Sequence, residues 1–191
     1  IAADEETRQE WSRRKVLLDA HGEAVAERTA ELTARVGCWP DLVDALELAG
    51  RYHDSGKSYW RFQLALGNDQ KTGGGPPLAK SGMRSPARMR AARQRAGLGP
   101  WRHEQLSAAI AHSALDSLSG PAKDLVVRLV GVSHGRGRPM FEQVASELLP
   151  EPMSLKDENE ARTLFDFGAW EELVENTHRE YGVWGCAYLE A

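Results

Sequence analysis

Cysteines and long apolar segments are scarce in this 191-residue chain. Its two cysteines, Cys38 and Cys186, are too few for a disulfide framework and fit a reducing compartment. No segment approaches the roughly 18 consecutive apolar residues of a membrane span, and no signal-peptide pattern opens the chain. We therefore expect a cytoplasmic protein with no membrane partner.

Alternating strand patterns, internal repeats and low-complexity tracts are also missing. No phosphate-binding loop of the G-x-x-x-x-G-K-[ST] type occurs, so a helicase motor is not expected within these residues. The length suits a single domain over residues 1–191. Because the first residue is Ile1 and not Met, we expect this domain to be part of a longer chain.

Charge is distributed unevenly along the chain. The net charge of −4 argues against a protein that binds nucleic acid over its whole surface. The segment 80–102 nevertheless carries seven basic residues and no acid: Lys80, Arg84, Arg88, Arg90, Arg93, Arg95 and Arg102. Such runs are commonly solvated faces, and the alternative is a track for nucleic-acid phosphates.

Apolar residues at three- and four-residue steps predict an all-α fold. Residues 5–36 are predicted to form one helix whose inward face holds Val25, Thr29, Leu32 and Val36. A second helix follows "CWP" and is expected to stop at Gly56. Shorter helices are predicted for "SYWRFQLAL", "ARMRAARQRA" and "FEQVASELL", and a loop for "GNDQKTGGGPPLAKSG". The last predicted helix has one face made of Trp170, Leu173, Thr177, Tyr181, Trp184 and Tyr188.

Four of the six histidines continue an apolar helical stripe: His21, His53, His103 and His134. They are predicted to point inward from four different helices, and helical bundles build metal sites from side chains on facing helices. Asp54 follows one of them directly. His112 is half a turn out of phase with His103, and His178 lies in a polar stretch, so both are predicted to be surface residues. The alternative for each inward histidine is an ordinary hydrogen-bonded core residue.

The segment "LAGRYHDSGKSYWRFQLALG" resembles the HD motif of the HD phosphohydrolase superfamily. It is more closely similar to the HD nuclease domain of the type I CRISPR-associated nuclease-helicase. Matching elements, in order, are His21, the run His53-Asp54-x-Gly56-Lys57, Phe62-Gln63, "LAKSG", "RHEQLS" with His103, "SHGRGRP" with His134, and the closing "YGVWGCAYLEA". The resemblance covers residues 16–191.

This resemblance implies a helical bundle with a metal site between its helices. One ion would be held by His21, His53, Asp54 and an aspartate beyond Ala191, and a second by Asp54, His103 and His134. Nitrogen and oxygen ligands together suit manganese, iron, cobalt, nickel or zinc, as one or two ions. Ser133 stands where the family usually has a further histidine. Each site is therefore expected to be one ligand short, with weak metal binding and feeble cleavage.

The implied activity is metal-dependent hydrolysis of single-stranded DNA in CRISPR interference, with Asp54 and Lys57 as catalytic residues. The residues expected to bind the substrate phosphates are Lys57, Lys80, Arg84, Arg136 and Arg138. Trp60 is the aromatic residue most suited to stack a base. The implied partners are a helicase domain, in the same or a partner chain, and the CRISPR effector complex.

Two alternatives remain open at this point. One is a small-molecule HD phosphohydrolase that resembles a nucleotidase, which would need a closed pocket and not a track. The other is a catalytically weakened HD domain that serves as an interaction module, which Ser133 favours.

Overall fold

The computed structural model describes residues 14–83, 85–98, 102–118, 120–135, 137, 140–141, 145 and 155–191. These residues are mostly helical, which confirms the predicted class in its broad form. In chain order the elements are β1 (Lys15–Leu17), α1 (Leu18–Val36), α2 (Pro40–Tyr52), a 3₁₀ turn (Ser55–Ser58), α3 (Trp60–Ala65), a second 3₁₀ turn (Gln70–Thr72), β2 (Leu78–Ser81), α4 (Pro86–Arg95), α5 (His103–Ala114), α6 (Pro121–Val132), α7 (Leu155–Phe165), α8 (Ala169–Tyr181) and α9 (Val183–Glu190). Most of "FEQVASELL" lies outside the described residues. Within the described part, no helix has the length and apolarity needed to cross a bilayer.

A small antiparallel sheet corrects the prediction of a purely helical chain. Strand β1 pairs with β2 in the register Lys15↔Ser81, Val16↔Lys80 and Leu17↔Leu78. The predicted helix over 5–36 is therefore wrong at 15–17, and "LAKS" is a strand within the predicted loop. Both strands are too short for an alternating pattern to be visible. Residues 5–13 lie outside the described residues.

Helix α1 packs on α2 mainly through small residues, and of the predicted stripe Thr29 lies against Gly50 of α2. Its buried positions include Gly22 and Ala26, and a Cβ on Gly22 would lie 2.7 Å from the Arg51 carbonyl oxygen. Leu32 and Val36 are 45% and 59% exposed, so their predicted inward orientation is wrong. The small residues let the two helix backbones approach closely, and this approach decides which face of α1 is covered.

The main apolar core lies between α2, α5, α6 and α8. Helix α5 is buried on nearly all sides, because α6, α7 and the first 3₁₀ turn all pack against it. A second, smaller cluster joins α3 to the residues that follow α4, through Phe62, Leu98 and Leu106. The predicted short helices "SYWRFQLAL" and "ARMRAARQRA" are confirmed as α3 and α4.

The predicted last helix is two helices, because Gly182 adopts a left-handed φ of 72° between α8 and α9. Trp170, Leu173 and Thr177 are buried as predicted. Trp184 and Tyr188 are 87% and 64% exposed, so the prediction of one continuous apolar face is wrong beyond the break.

Arg128 of α6 is a buried cation that holds α8 and α9 in place. Its Nε donates to Glu190 Oε1 at 2.7 Å, Nη1 donates to Thr177 Oγ1 at 2.7 Å, and Nη2 donates to His178 Nε2 at 2.8 Å. His178 is therefore half-buried and bonded, in contrast to the predicted surface position. Burial and the neighbouring Arg128 charge lower the pKa of His178.

Candidate metal centre

The ends of four helices bring four histidines to one carboxylate. His21 lies in the first turn of α1, His53 caps the C-terminus of α2, His103 begins α5, and His134 follows the end of α6. The Asp54 carboxylate lies at the centre and is 3% exposed. The apolar stripes that end on histidines thus predicted correctly that His53, after α2, and His134, after α6, lie beside Asp54.

The histidines form two pairs, one for each oxygen of Asp54. His21 Nε2 and His53 Nε2 each lie 3.5 Å from Oδ2. On the other side, His103 Nε2 lies 3.0 Å from Oδ1, and His134 Nε2 lies 3.2 Å from His103 Nε2. In each three-residue group the ligand atoms all lie within 4.8 Å of one another. Either group could hold a metal ion.

The donor set fits a cation. The Gly50 carbonyl oxygen can only accept, so at 2.7 Å it takes a hydrogen from His53 Nδ1. In the neutral ring the lone pair then lies on Nε2 and faces a carboxylate oxygen. Two acceptors that face each other are unfavourable unless a donor or a cation lies between or beside them. A metal ion satisfies this requirement.

Lys57 also brings a positive charge to the carboxylate. Its Nζ donates to Asp54 Oδ2 at 2.9 Å, and the side chain is 3% exposed. Burial alone would raise the pKa of Asp54, but the Lys57 ammonium and the His103 hydrogen bond hold that pKa well below its usual range. Asp54 is therefore ionised at neutral pH, as a metal ligand must be.

Two of the histidines are shifted toward the neutral form that binds metals. Burial, followed by the charge of His103, lowers the pKa of His134 to about 4. Burial also lowers the pKa of His21, with the Asp54 carboxylate opposing it and with smaller contributions from His53 and Lys80. Lys80 on β2 thus lies on the His21 side of the centre.

Gly56 fixes the distance between the Asp54 turn and α5. A Cβ at this position would lie 2.2 Å from the His103 carbonyl oxygen and 2.8 Å from the Ser107 nitrogen. The Gly56 N–H donates to Ser107 Oγ at 2.8 Å. The prediction that Gly56 stops α2 is wrong, because α2 ends at Tyr52 and Gly56 lies within the 3₁₀ turn.

Gln63 connects the same turn to strand β2. Its Nε2 donates to the Lys57 carbonyl oxygen at 2.6 Å and to the Leu78 carbonyl oxygen at 2.9 Å. Its Oε1 accepts from the Leu78 nitrogen and from Asn68 Nδ2, both at 2.8 Å. All the polar atoms of the buried amide are used, so Gln63 orients the main chain that carries Lys57.

Glu104 is a buried acid next to a candidate ligand. It is fully buried, and its Oε2 lies 3.6 Å from His103 Nδ1, on the other side of that ring from Asp54. This position suits it to orient His103 and not to join the ligand group. The sequence shows that an acid follows His103, but not on which side of the ring it lies.

Some of the remaining predicted residues fall outside the described part of the chain. Arg84, Arg136 and Arg138 lie outside the described residues. Ser133 is exposed at the end of α6 and lines, with His53 and His134, a groove of about 510 Å³. His112 is separate from both metal-ligand groups, but it is half-buried and its Nδ1 lies 2.6 Å from Glu160 Oε2.

A basic surface extends over α3 and α4. Arg88 and Arg95 line an open groove of about 770 Å³. At the end of α4, Arg61 Nη1 donates to the Ala96 oxygen at 3.4 Å. The Trp60 ring lies beneath two cations, Lys71 at 4.2 Å and Arg61 at 4.9 Å from its centroid. Trp60 is half-buried, so its predicted exposure is only partial.

Comparison of the chain with protein-family models, curated proteins and solved structures finds no match.

Proposed function

We propose that this chain is a metal-dependent phosphodiesterase of the HD type that hydrolyses single-stranded DNA. The observation that carries the proposal is the single buried carboxylate of Asp54 between two histidine pairs, each within metal-binding distance of its own oxygen. One carboxylate with two such sets of nitrogens is a geometry for one or two divalent ions.

The group that this centre would hold is manganese, iron, cobalt, nickel or zinc, because imidazole nitrogens favour these metals over magnesium. When bound, such an ion lowers the pKa of a water and stabilises charge on a phosphate. His21, His53 and Asp54 would hold one ion, and Asp54, His103 and His134 the other. Glu104 is placed to accept a hydrogen from His103 Nδ1, which would leave Nε2 free as a ligand atom.

The residues of this chain position the substrate and exclude water. Asp54 and Lys57 lie at the floor of the centre, where an ammonium can neutralise a non-bridging phosphate oxygen. Lys80 lies on the same side as His21. The half-buried His21 and His53 mark the side from which a phosphate can enter.

A nucleic-acid strand fits the surface better than a small nucleotide does. The groove at Arg88 and Arg95 is open, and Trp60 with Lys71 and Arg61 combines a ring face with cations. Single-stranded nucleic acids bind to grooves of this kind by phosphate contacts and base stacking. A nucleotidase instead needs an enclosed pocket.

The resemblance to the type I CRISPR-associated nuclease-helicase supplies the proposed context. In this context a helicase domain, in the same or a partner chain, feeds the strand to the metal centre within the CRISPR effector complex in the cytoplasm. The second candidate is a weakened HD domain that acts as an interaction module. It is favoured by the exposed Ser133 hydroxyl, a poor metal ligand at the position of a family histidine.

Elemental analysis of the purified chain, paired with cleavage assays in Mn²⁺, Fe²⁺, Co²⁺, Ni²⁺, Zn²⁺ and Mg²⁺, tests the proposal. Circular single-stranded DNA, duplex DNA and nucleoside monophosphates serve as substrates. Cleavage of the circular strand with a transition metal is the expected result. Release of phosphate from nucleotides alone would support the nucleotidase, and metal-free DNA binding without any cleavage would support the interaction module.

The surface at α4 is tested separately by DNA binding in EDTA. We expect the variant Arg88→Gln/Arg95→Gln to bind single-stranded DNA more weakly and to reduce the salt slope by about 0.7 per cation removed. Arg179→Gln is the matched control, because Arg179 is an exposed arginine of α8 with its own acidic neighbour, Glu175. Equal binding by all three proteins would place the strand elsewhere.

A further inference from the structure

We propose that the Lys57 ammonium is an internal substitute for one metal ion and competes with it for Asp54 Oδ2. The inference rests on the proposed metal centre, but it does not depend on cleavage. Its basis is a contact between atoms: Lys57 Nζ lies 2.9 Å from the same oxygen that His21 Nε2 and His53 Nε2 face at 3.5 Å.

The contact is buried and therefore strong. The side chains of Lys57 and Asp54 are 3% and 4% exposed. Water screens such a pair little, and removal of one partner leaves an uncompensated charge. An ion bound by Oδ2 must therefore displace the ammonium or share the oxygen with it, and either event opposes binding.

The competition is confined to one side of Asp54. The oxygen that faces His103 and His134 is Oδ1, whereas the Lys57 ammonium pairs with Oδ2. An ion at the His103 side can bind while the Lys57 ion pair stays intact. The two sides should thus fill in order, with the His103 side first and the His21 side second.

The main chain prevents Lys57 from moving away freely. Gln63 donates to the Lys57 carbonyl oxygen, and the Lys57 main-chain N–H donates to the Asp54 main-chain carbonyl oxygen at 2.8 Å. Release of Oδ2 must therefore occur by rotation of the lysine side chain alone. The released ammonium stays beside the centre, where a substrate phosphate is the nearest new anion that it can meet.

A double-mutant comparison tests the competition by the affinity of the whole chain for Mn²⁺, measured by isothermal titration calorimetry. In a His134→Ala background only the His21 side keeps its three ligand residues, and there Lys57→Met should tighten Mn²⁺ binding by about tenfold or more. In a His21→Ala background, where only the His103 side keeps its three ligand residues, we expect the same change to have an effect below about threefold, because Lys57 pairs with Oδ2 and not with Oδ1.

Lys80→Met is the matched control, since Lys80 also lies near His21 but makes no ion pair with Asp54. Similar tightening by Lys57→Met and Lys80→Met would overturn the inference, because it would show a general effect of charge. Equal effects of Lys57→Met in both backgrounds would overturn it as well. If Lys57→Met is unfolded without metal, recovery of the fold by Mn²⁺ supports the competition and failure to recover contradicts it.

The outcomes also separate this inference from the proposed function. Mn²⁺ binding that Lys57 does not affect leaves the phosphodiesterase standing and removes the competition. If the wild type does not bind Mn²⁺ and Lys57→Met does, the competition is supported, and the ammonium alone prevents binding. Absence of binding in every variant removes both.

Discussion

Two buried ionic centres in this molecule differ in how well the protein itself satisfies them. Arg128 has an acceptor for every nitrogen of its guanidinium: Glu190, Thr177, His178 and the Val174 carbonyl oxygen. Asp54 has one ammonium at 2.9 Å, while imidazole nitrogens on the same side face it at 3.5 Å without a good hydrogen bond. The completed centre binds three helices together. The Asp54 centre could hold a metal ion on either side of its carboxylate.

The largest effect should come from loss of the Asp54 charge. Asp54→Asn removes the only carboxylate shared by both ligand groups, so we expect cleavage of single-stranded DNA to fall by about a thousandfold or more. The helical circular dichroism spectrum should persist. Cleavage rates in Mn²⁺ are the measurement, and His112→Ala is the control, because His112 belongs to neither ligand group. Full activity of Asp54→Asn would contradict the proposed chemistry.

Arg128→Met should lower the stability of the fold and leave the metal centre intact. The methionine fills similar space but removes the Arg128 donor from Glu190 and from the carbonyl of Val174, so the free energy of unfolding should fall by about 3 kcal/mol. Affinity for Mn²⁺ should change little, since Arg128 makes no contact with Asp54. Urea unfolding and calorimetry check the two quantities. A large loss of metal affinity without a loss of stability would erase the distinction between the two centres.

Gly56→Ala should affect both stability and metal binding. The added Cβ would overlap the His103 carbonyl oxygen at 2.2 Å, so the turn must shift away from α5. We expect a loss of about 2 kcal/mol in the free energy of unfolding, together with weaker Mn²⁺ binding. Gly185→Ala is the control, because its nearest neighbour would be 3.7 Å away. Equal stability of the two variants would show that the contact is easily relaxed.

The smallest expected effect is a pH dependence at the Arg128 centre. Burial lowers the folded-state pKa of His178 below its ordinary value of 6.5. The unfolded chain therefore binds more protons, and this contribution to stability is present above pH 6.5 and is lost as the pH falls below it. His178→Gln should reduce that part of the decline in unfolding free energy between pH 7 and pH 5. An unchanged decline would mean that other groups account for it.

The sequence predicted the helical class and the inward positions of His53 and His134, because an apolar stripe that ends on a histidine places that histidine at the core edge. It failed for Leu32, Val36, Trp184 and Tyr188, which are exposed. Periodicity shows which residues share a face, but only packing shows whether another element covers that face. The break at Gly182 also interrupts the last stripe.

The sequence could not reveal the partner of Lys57. Lys57 and Asp54 are three residues apart, and they pair because residues 55–58 adopt a 3₁₀ turn. Apolar periodicity does not predict such a turn. Burial of the pair depends on Gln63, on β2 and on α5, which come from distant parts of the chain. The sheet was missed for the same reason, since each strand is defined by a partner more than sixty residues away.

The contact at Gly56 sets one distance of the centre through main-chain atoms. The turn that carries Asp54 and the helix that begins with His103 meet main chain to main chain, so their separation has no side-chain rotamers to adjust. Core substitutions that leave this contact in place are therefore expected to change the melting temperature more than the distance between Asp54 and His103. A heat-resistant version of this protein should be sought among core residues that do not touch the histidines, which excludes Phe62, whose ring centroid lies 5.9 Å from that of His103.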